Sequence, residues 1–302
     1  MGAGTETLRE LEVPRLGLPA GLDLQWLGVS GYRMSYEGSA IFIDPYVSRT
    51  PLRNMLLRRS ALPDPAILKR TIYDREDAKV EAVLVGHTHF DHAIDAPEIA
   101  RHFSCKAYGS ASLQSLMKLH GAADLAVNVA PNKTYELGPF EVRFIRSRHS
   151  KLVLGRKVPF DGELTCDHLH GLTPGAYKCG QVWGIRIDVA GTSFYHQGSA
   201  DLLDDELPSE PVDFFLAGVA GREVTPRYWE RVLPKLDPQT IVPTHYDNFF
   251  TPLGADQKLI GRVKLERLPE EIGAVSRDAT IAALPRIDTQ TSGGTTTSTA
   301  EL

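Results

Sequence analysis

Residues 80–85 form an apolar run that ends directly in Gly86-His87-Thr88-His89-Phe90-Asp91-His92. Three imidazoles and a carboxylate within six residues are a dense cluster for a chain with 10 His in all. In an extended stretch successive side chains alternate, so His87, His89 and Asp91 point one way. His92 is then carried to the other side of the same cavity. Asp95-Ala96-Pro97-Glu98 follows and predicts a helix start, with an acidic N-cap, Pro in the first turn and Glu at the third helical position. The His-rich loop is therefore held between a strand end and a helix, a rigid place for metal ligands. Neutral imidazoles and a carboxylate suit zinc, with iron and manganese left open.

The rest of the chain supplies a frame for such a loop. Leu22, Leu24 and Trp26 alternate, as do Met34 and Tyr36, then Ile41 and Ile43, with glycines between the runs; this is a hairpin pattern. Further apolar runs at 140–145, 182–189, 194–195, 212–216 and 240–242 predict buried strands, and helical spacing lies between several of them, as at 111–119 and 226–236. Strands alternating with helices indicate an α/β layered fold. The first twenty residues lack a period and carry Pro14 and Pro19, so they are expected to form a strap without a helix. A single domain is expected over 21–285, with inserts at about 49–72 and 151–180. Residues 286–302 are mostly Thr, Ser and Gly and are expected to be a disordered tail.

Composition narrows the partners. Lys+Arg 33 against Asp+Glu 38 gives a net charge of −5, which argues against a general nucleic-acid footprint. No run approaches the roughly 18–20 apolar residues needed to span a bilayer, and the N-terminus has no basic-then-apolar signal pattern. Cys105, Cys166 and Cys179 are the only 3 cysteines, and their spacing is no disulfide framework. These features point to a soluble, reduced, cytoplasmic protein, with a homo-oligomer left open.

His87-Thr88-His89-Phe90-Asp91-His92 resembles the HxHxDH signature of the metallo-β-lactamase fold superfamily. Ile41-Phe42-Ile43-Asp44-Pro45, His149 at the end of the 140–145 strand, Tyr195-His196-Gln197-Gly198 and Val242-Pro243-Thr244-His245 resemble that family's other landmarks, in order, over about residues 22–270. Their order and spacing are similar to the lactonase-like branch related to ascorbate-6-phosphate lactonase. The resemblance implies a four-layer αβ/βα sandwich with the metal site at one edge of the two sheets. It implies that His87, His89 and His149 hold one metal ion and that Asp91, His92 and His245 hold a second, zinc being the first choice. Asp44 would orient a ligand imidazole, while His196 would be structural.

One departure stands out. The family's bridging Asp should follow Gly198, where this chain reads Ser199-Ala200-Asp201. Neutral Ser199 is a poor zinc ligand and would stand behind the ligands. Asp201 could reach the metals only through a bulged loop, and it equally suits the start of a helix over the following residues. Whether one ion or two bind is left open by this change.

The resemblance implies a hydrolase in which zinc lowers the pKa of bound water towards roughly 7, and the resulting hydroxide attacks a small-molecule substrate, a lactone, ester or amide. A phosphodiester is the second choice. Asp91 and His92 would be catalytic, Asp91 orienting the nucleophile or passing on its proton. Arg146, Arg148, Lys151, Arg156 and Lys157 crowd around His149, so Arg148 and Lys151 are candidates for clamping an anionic substrate group. Cys166-Asp167-His168-Leu169-His170 with Cys179 matches no common zinc finger. The 151–180 insert is expected to cover the site, with His168 or His170 touching substrate. The 51–70 stretch combines leucines with basic residues; it could rest on a membrane, and a lid or dimer contact is the preferred expectation. The rival readings are an iron oxidoreductase of the same fold, or a metal-binding protein with a degenerate site. The diiron type usually has Glu at the second His, so His89 argues against it.

Overall fold

Period-two apolar patterning produces two β-sheets whose facing sides share one core. The computed structural model describes residues 2–261 and 263–287. The first sheet contains β1 (Asp23–Gly28), β2 (Gly31–Tyr36), β3 (Ser39–Ile43), β4 (Lys79–Leu84), β5 (Lys106–Gly109) and β6 (Ala126–Asn128) in that spatial order. β1, β2 and β3 pair antiparallel, as the hairpin pattern predicts, and β3 to β6 run parallel. The second sheet contains β7 (Thr134–Leu137), β8 (Phe140–Ser147), β9 (Val182–Val189), β10 (Thr192–Gln197), β11 (Phe214–Gly218), β12 (Thr240–Thr244) and β13 (Thr280–Ile281), again in sequential order. It repeats the plan of the first sheet: antiparallel from β7 to β10, then parallel to β13.

The alternation assigns faces. Ile41, Ile43, Ala82 and Leu84 point between the sheets towards Phe144, Ile185 and Leu216, whereas Phe42, Val83 and Val85 point outward. That outer face is covered by α5 (Ala96–Phe103) and α6 (Ala111–Leu119), which follow α1 (Ala3–Leu11), α2 (Leu52–Leu56), α3 (Pro65–Leu68) and α4 (Phe90–Ala93) in the chain. α7 (Tyr228–Leu236) adds Val232, Leu233 and Leu236 to the core on the side of the second sheet, and α8 (Leu268–Gly273) adds Leu268 and Ile272. The four-layer αβ/βα sandwich is the expected one.

Three details depart from the sequence reading. α1 is a helix within the first twenty residues; it ends before Pro14 and buries Leu8, so the prolines bound it rather than prevent it. Asp201 is followed by a turn and not by a helix. The expected tail lies outside the described residues except for Arg286 and Ile287, which are buried, and the Ile287 amide bonds to the Trp26 carbonyl at 2.9 Å.

The parallel strands β3, β4, β11 and β12 all deliver their C-terminal ends to one edge, and the loops there are tied across the sheets. Asp247, two residues past His245, pairs with Arg49 at 2.9 Å, both side chains fully buried. Its other oxygen accepts the Val29 amide at 2.8 Å. Gly28 gives the arginine room: a Cβ there would sit 1.7 Å from a guanidinium nitrogen, and its φ of +96° suits glycine. Truncating Asp247→Ala leaves a buried guanidinium without its main counter-charge, a change that costs about 3–5 kcal/mol. The expected result is a urea midpoint lowered to match; an unchanged midpoint would contradict this account of the edge.

Candidate metal centre

Five strand ends build the centre. Asp44 follows β3, His87 follows β4, His149 follows β8, His196 lies within β10, and His245 follows β12. The chain is extended through His89, so His87 and His89 share a side as the period-two argument predicts. At Phe90 it turns into α4, and this single helical turn, rather than continued extension, swings Asp91 and His92 towards His245. The outcome is two adjoining triads. His87, His89 and His149 form one and Asp91, His92 and His245 the other, with the ligand-type atoms within each no more than 4.8 Å apart.

Three of the ring nitrogens facing away from these clusters are held by acceptors, while the buried His245 Nδ1 has no hydrogen-bond partner. His89 Nε2 lies 2.8 Å from the Pro159 carbonyl and His149 Nδ1 lies 2.7 Å from the Ser150 carbonyl. His92 Nδ1 donates to Asp44 at 2.9 Å. Each contact fixes a tautomer and leaves the other nitrogen as a lone-pair donor aimed inward, which is how metal-binding imidazoles are oriented. The two triads thus fit a divalent cation by donor type, and His89, His92 and His149 fit by tautomer as well.

Electrostatics agree. Burial, and then the neighbouring imidazoles, pull the His87 pKa well below the ordinary value. Burial likewise takes His89 down to about 4 and His149 to about 3, with neighbouring imidazoles adding to the effect. Neutral rings are the binding form. In the second triad burial opposes charge on Asp91, but His92 and His245 outweigh it and hold the carboxyl below its usual range. Burial also disfavours the His92 cation, yet Asp44 and Asp91 raise its pKa on balance.

Asp44 is where the supporting contacts converge. It is fully buried, and it accepts from the Gly86 amide at 2.6 Å, from His92 at 2.9 Å and from His196 at 3.0 Å. Burial alone would raise its pKa; the His92 charge and the hydrogen bonds from His196 and His92 bring it to about 2. Gly198 permits this approach, since a Cβ there would lie 2.9 Å from the Asp44 carboxylate and 3.1 Å from the His92 ring.

Several expected residues stand elsewhere. Asp201 is in neither triad: its carboxylate pairs with Arg231 of α7 at 3.0 Å and accepts the Leu202 amide at 2.8 Å. A ready guanidinium on the adjacent helix holds it away from the centre. Ser199 occupies the place it leaves; its hydroxyl accepts the Ser150 amide at 3.1 Å, bracing the residue whose carbonyl holds His149. Asp95 does not cap α5, because its carboxylate turns instead to the amides of Val47 and Ser48 at 2.7 and 2.9 Å. His168 is exposed, pairs with Asp167, and lies over α6 beside Ser115 and Lys118. His170 is exposed as well. Neither they nor Cys166 and Cys179 belong to a metal-type cluster among the described residues.

The insert reaches the centre through residues that carried no sequence signal. Pro159 supplies the carbonyl behind His89, and the Phe160 ring lies 6.3 Å from the His89 ring. Its far end is fixed by Thr88, whose amide and hydroxyl both bond to the Cys179 carbonyl. Phe249 stands 6.0 Å from His245 as a wall. Arg148 and Lys151 line a cavity of about 420 Å³ with Arg227, Arg231 and Asp201.

The family model described as Beta-lactamase superfamily domain matches residues 23–245. A UPF0173 metal-dependent hydrolase of Polaromonas sp. is 28% identical over 242 residues, covering 74% of this chain and 77% of its own. Among solved structures, a putative metal-dependent hydrolase from Parabacteroides distasonis superposes with a TM-score of 0.53 at 12% identity, over 87% of this chain and 94% of its own. CmlA, a diiron beta-hydroxylase from Streptomyces venezuelae, gives 0.55 at 13% identity, over 89% of this chain and 54% of its own.

The depressed histidines make a pH prediction for metal-free protein. A folded pKa below the unfolded value contributes stability above the unfolded pKa of about 6.5, and that contribution is lost as pH falls through the folded value. With His89 at about 4 and His149 at about 3, stability in chelator should fall steadily from pH 6.5 towards 4. His149→Gln should flatten the slope. Urea midpoints across that range measure it, and an equal slope in the variant would remove His149 from the account.

Proposed function

Because the chain belongs to the Beta-lactamase superfamily, we propose that it is a metal-dependent hydrolase, with residues 21–285 as its single domain and a lactone, ester or amide as substrate. Phosphodiesters are the second choice, and the lactonase-like branch is the preferred relationship. The observation that carries this reading is the pair of adjoining ligand triads with the His89, His92 and His149 rings fixed from behind. The hydrolase names of relatives such as the Polaromonas protein support the same class.

Zinc, when bound, would supply water with a pKa lowered towards roughly 7 and Lewis acidity for the substrate. His87, His89 and His149 would hold one ion; Asp91, His92 and His245 would hold the other. The protein's own groups do the rest. Asp91 has an oxygen 3.3 Å from His245 and would orient the attacking water or pass on its proton. His92, tied to Asp44, keeps its inward nitrogen at a fixed position. Phe160 and Phe249 add apolar surface beside His89 and His245. Arg148, Lys151 and Arg227 enter no ion pair among the described residues; they line a cavity that none of the six triad residues lines, and they would offer donors to a carboxylate or phosphate on the substrate.

Metal identity and stoichiometry in protein purified without added metal, followed by a screen of lactones, esters, amides and phosphodiesters, test the proposal. Zinc with hydrolysis supports it; iron with oxygen consumption would replace it by an oxidoreductase, and absence of metal by a degenerate site. His87→Ala or His89→Ala should lose metal and turnover together while keeping most of the fold by circular dichroism. Full metal content with normal turnover would sink the ligand assignment.

Replacing Arg148 and Lys151 by Gln should raise KM for anionic substrates more than for neutral analogues, by about tenfold for one lost charge-assisted contact. Equal effects on both substrate types would mean that the two residues form only a solvated face.

A further inference from the structure

The exposed apolar side chains are not scattered. Nine large hydrophobics are exposed among the described residues, and eight of them fall in two segments. The first, residues 51–63, exposes Leu52, Leu56, Leu57 and Leu62, with Leu56 at 72% and Leu57 at 59%. Arg53, Arg58 and Arg59 are interleaved with them and exposed. The second, residues 151–160, exposes Leu152, Val153, Leu154 and Phe160 among Lys151, Arg156 and Lys157. No acidic residue occurs in either segment, in a chain of net charge −5. None of the six cations is in an ion pair among the described residues.

The second segment is a hairpin whose turn is Leu154-Gly155, both with positive φ, at +53° and +66°, closed by the Arg156 amide on the Val153 carbonyl at 3.0 Å. That turn favours Asn or Gly at both centres. Leucine is disfavoured there by its backbone, yet it stands 89% exposed at the tip. Neither folding nor turn chemistry accounts for it.

The two segments are joined through residues 172–177, and the second borders the metal centre. The hairpin leaves from His149-Ser150 and returns to Pro159-Phe160, against His89. The Phe160 ring lies against Gly175, and the 174–176 turn packs on α2. Ala61 closes the first segment by bonding to Leu172 at 2.7 Å, and the Tyr177 hydroxyl bonds to the Ala61 carbonyl at 2.7 Å.

We propose that these two segments dock together on an anionic lipid surface, bringing the mouth of the metal centre against it. Aliphatic tips enter the headgroup boundary while arginine and lysine stems reach back to lipid phosphates. A second copy of this chain is a poorer occupant, because a two-fold contact sets the patch against itself and would face six cations with six cations. The docking stands apart from the hydrolase reading, since vesicle binding is read without turnover.

The test is co-sedimentation of the full metal-bound chain with vesicles of phosphatidylcholine alone and with about a third phosphatidylglycerol, at low and high salt, beside sedimentation velocity without lipid. Binding to the mixed vesicles only, weakened by salt, supports the proposal. Arg58→Glu with Arg59→Glu should lower partitioning by about tenfold or more, and Leu56→Ser with Leu154→Ser should lower it at unchanged charge. Thermal melting of each variant checks that these exposed changes leave the fold intact. Equal binding to both vesicle types, leucine variants that bind like the parent, or a dimer that the leucine changes dissociate would each overturn it.

Discussion

One buried carboxylate joins the parts of this structure that matter for chemistry. Asp44 leaves β3 with a left-handed backbone, φ +42°, and receives donors from three separate segments. Gly86 precedes the first ligand-type histidine, His92 belongs to the second triad, and His196 comes from the other sheet. Burying a carboxylate is costly unless hydrogen bonds and opposite charge compensate it; here all three donors point at it. The sheet edges, the α4 turn and the orientation of His92 are thereby set by a single group. The strained backbone at Asp44 is of the kind that persists only where surrounding contacts determine it.

The centre was legible in proportion to how local its residues are. His87, His89, Asp91 and His92 lie within six positions, so their convergence could be argued from strand periodicity, although the helical turn that redirects Asp91 and His92 could not. His149 and His245 are brought in by strand order, and only the likeness to a known pattern pointed to them. Asp201 illustrates the limit. Its partner Arg231 is 30 positions away on α7, and no local spacing shows that a guanidinium would hold it. The carbonyl of Pro159 is harder still, because every residue has one and sequence says nothing of where it points.

The frame was legible for a similar reason. β1 to β4 and β8 to β12 are long enough to show alternation or a continuous apolar run. β5, β6 and β13, with 4, 3 and 2 residues, are too short to leave a period. α1 was hidden by the prolines that follow it. Its polar outer side and single buried leucine give a weak stripe, and its place is set by contacts with residues 259–266 near the far end of the chain.

The bond from His89 to the Pro159 carbonyl has a consequence for how the molecule can breathe. His89 Nε2 has that carbonyl as its partner at 2.8 Å, and the carbonyl belongs to the segment covering the centre. Lifting that segment therefore releases the imidazole from behind, and lowering it restores the ring's aim. Access at this side and the aim of the His89 ring are thereby linked through one hydrogen bond.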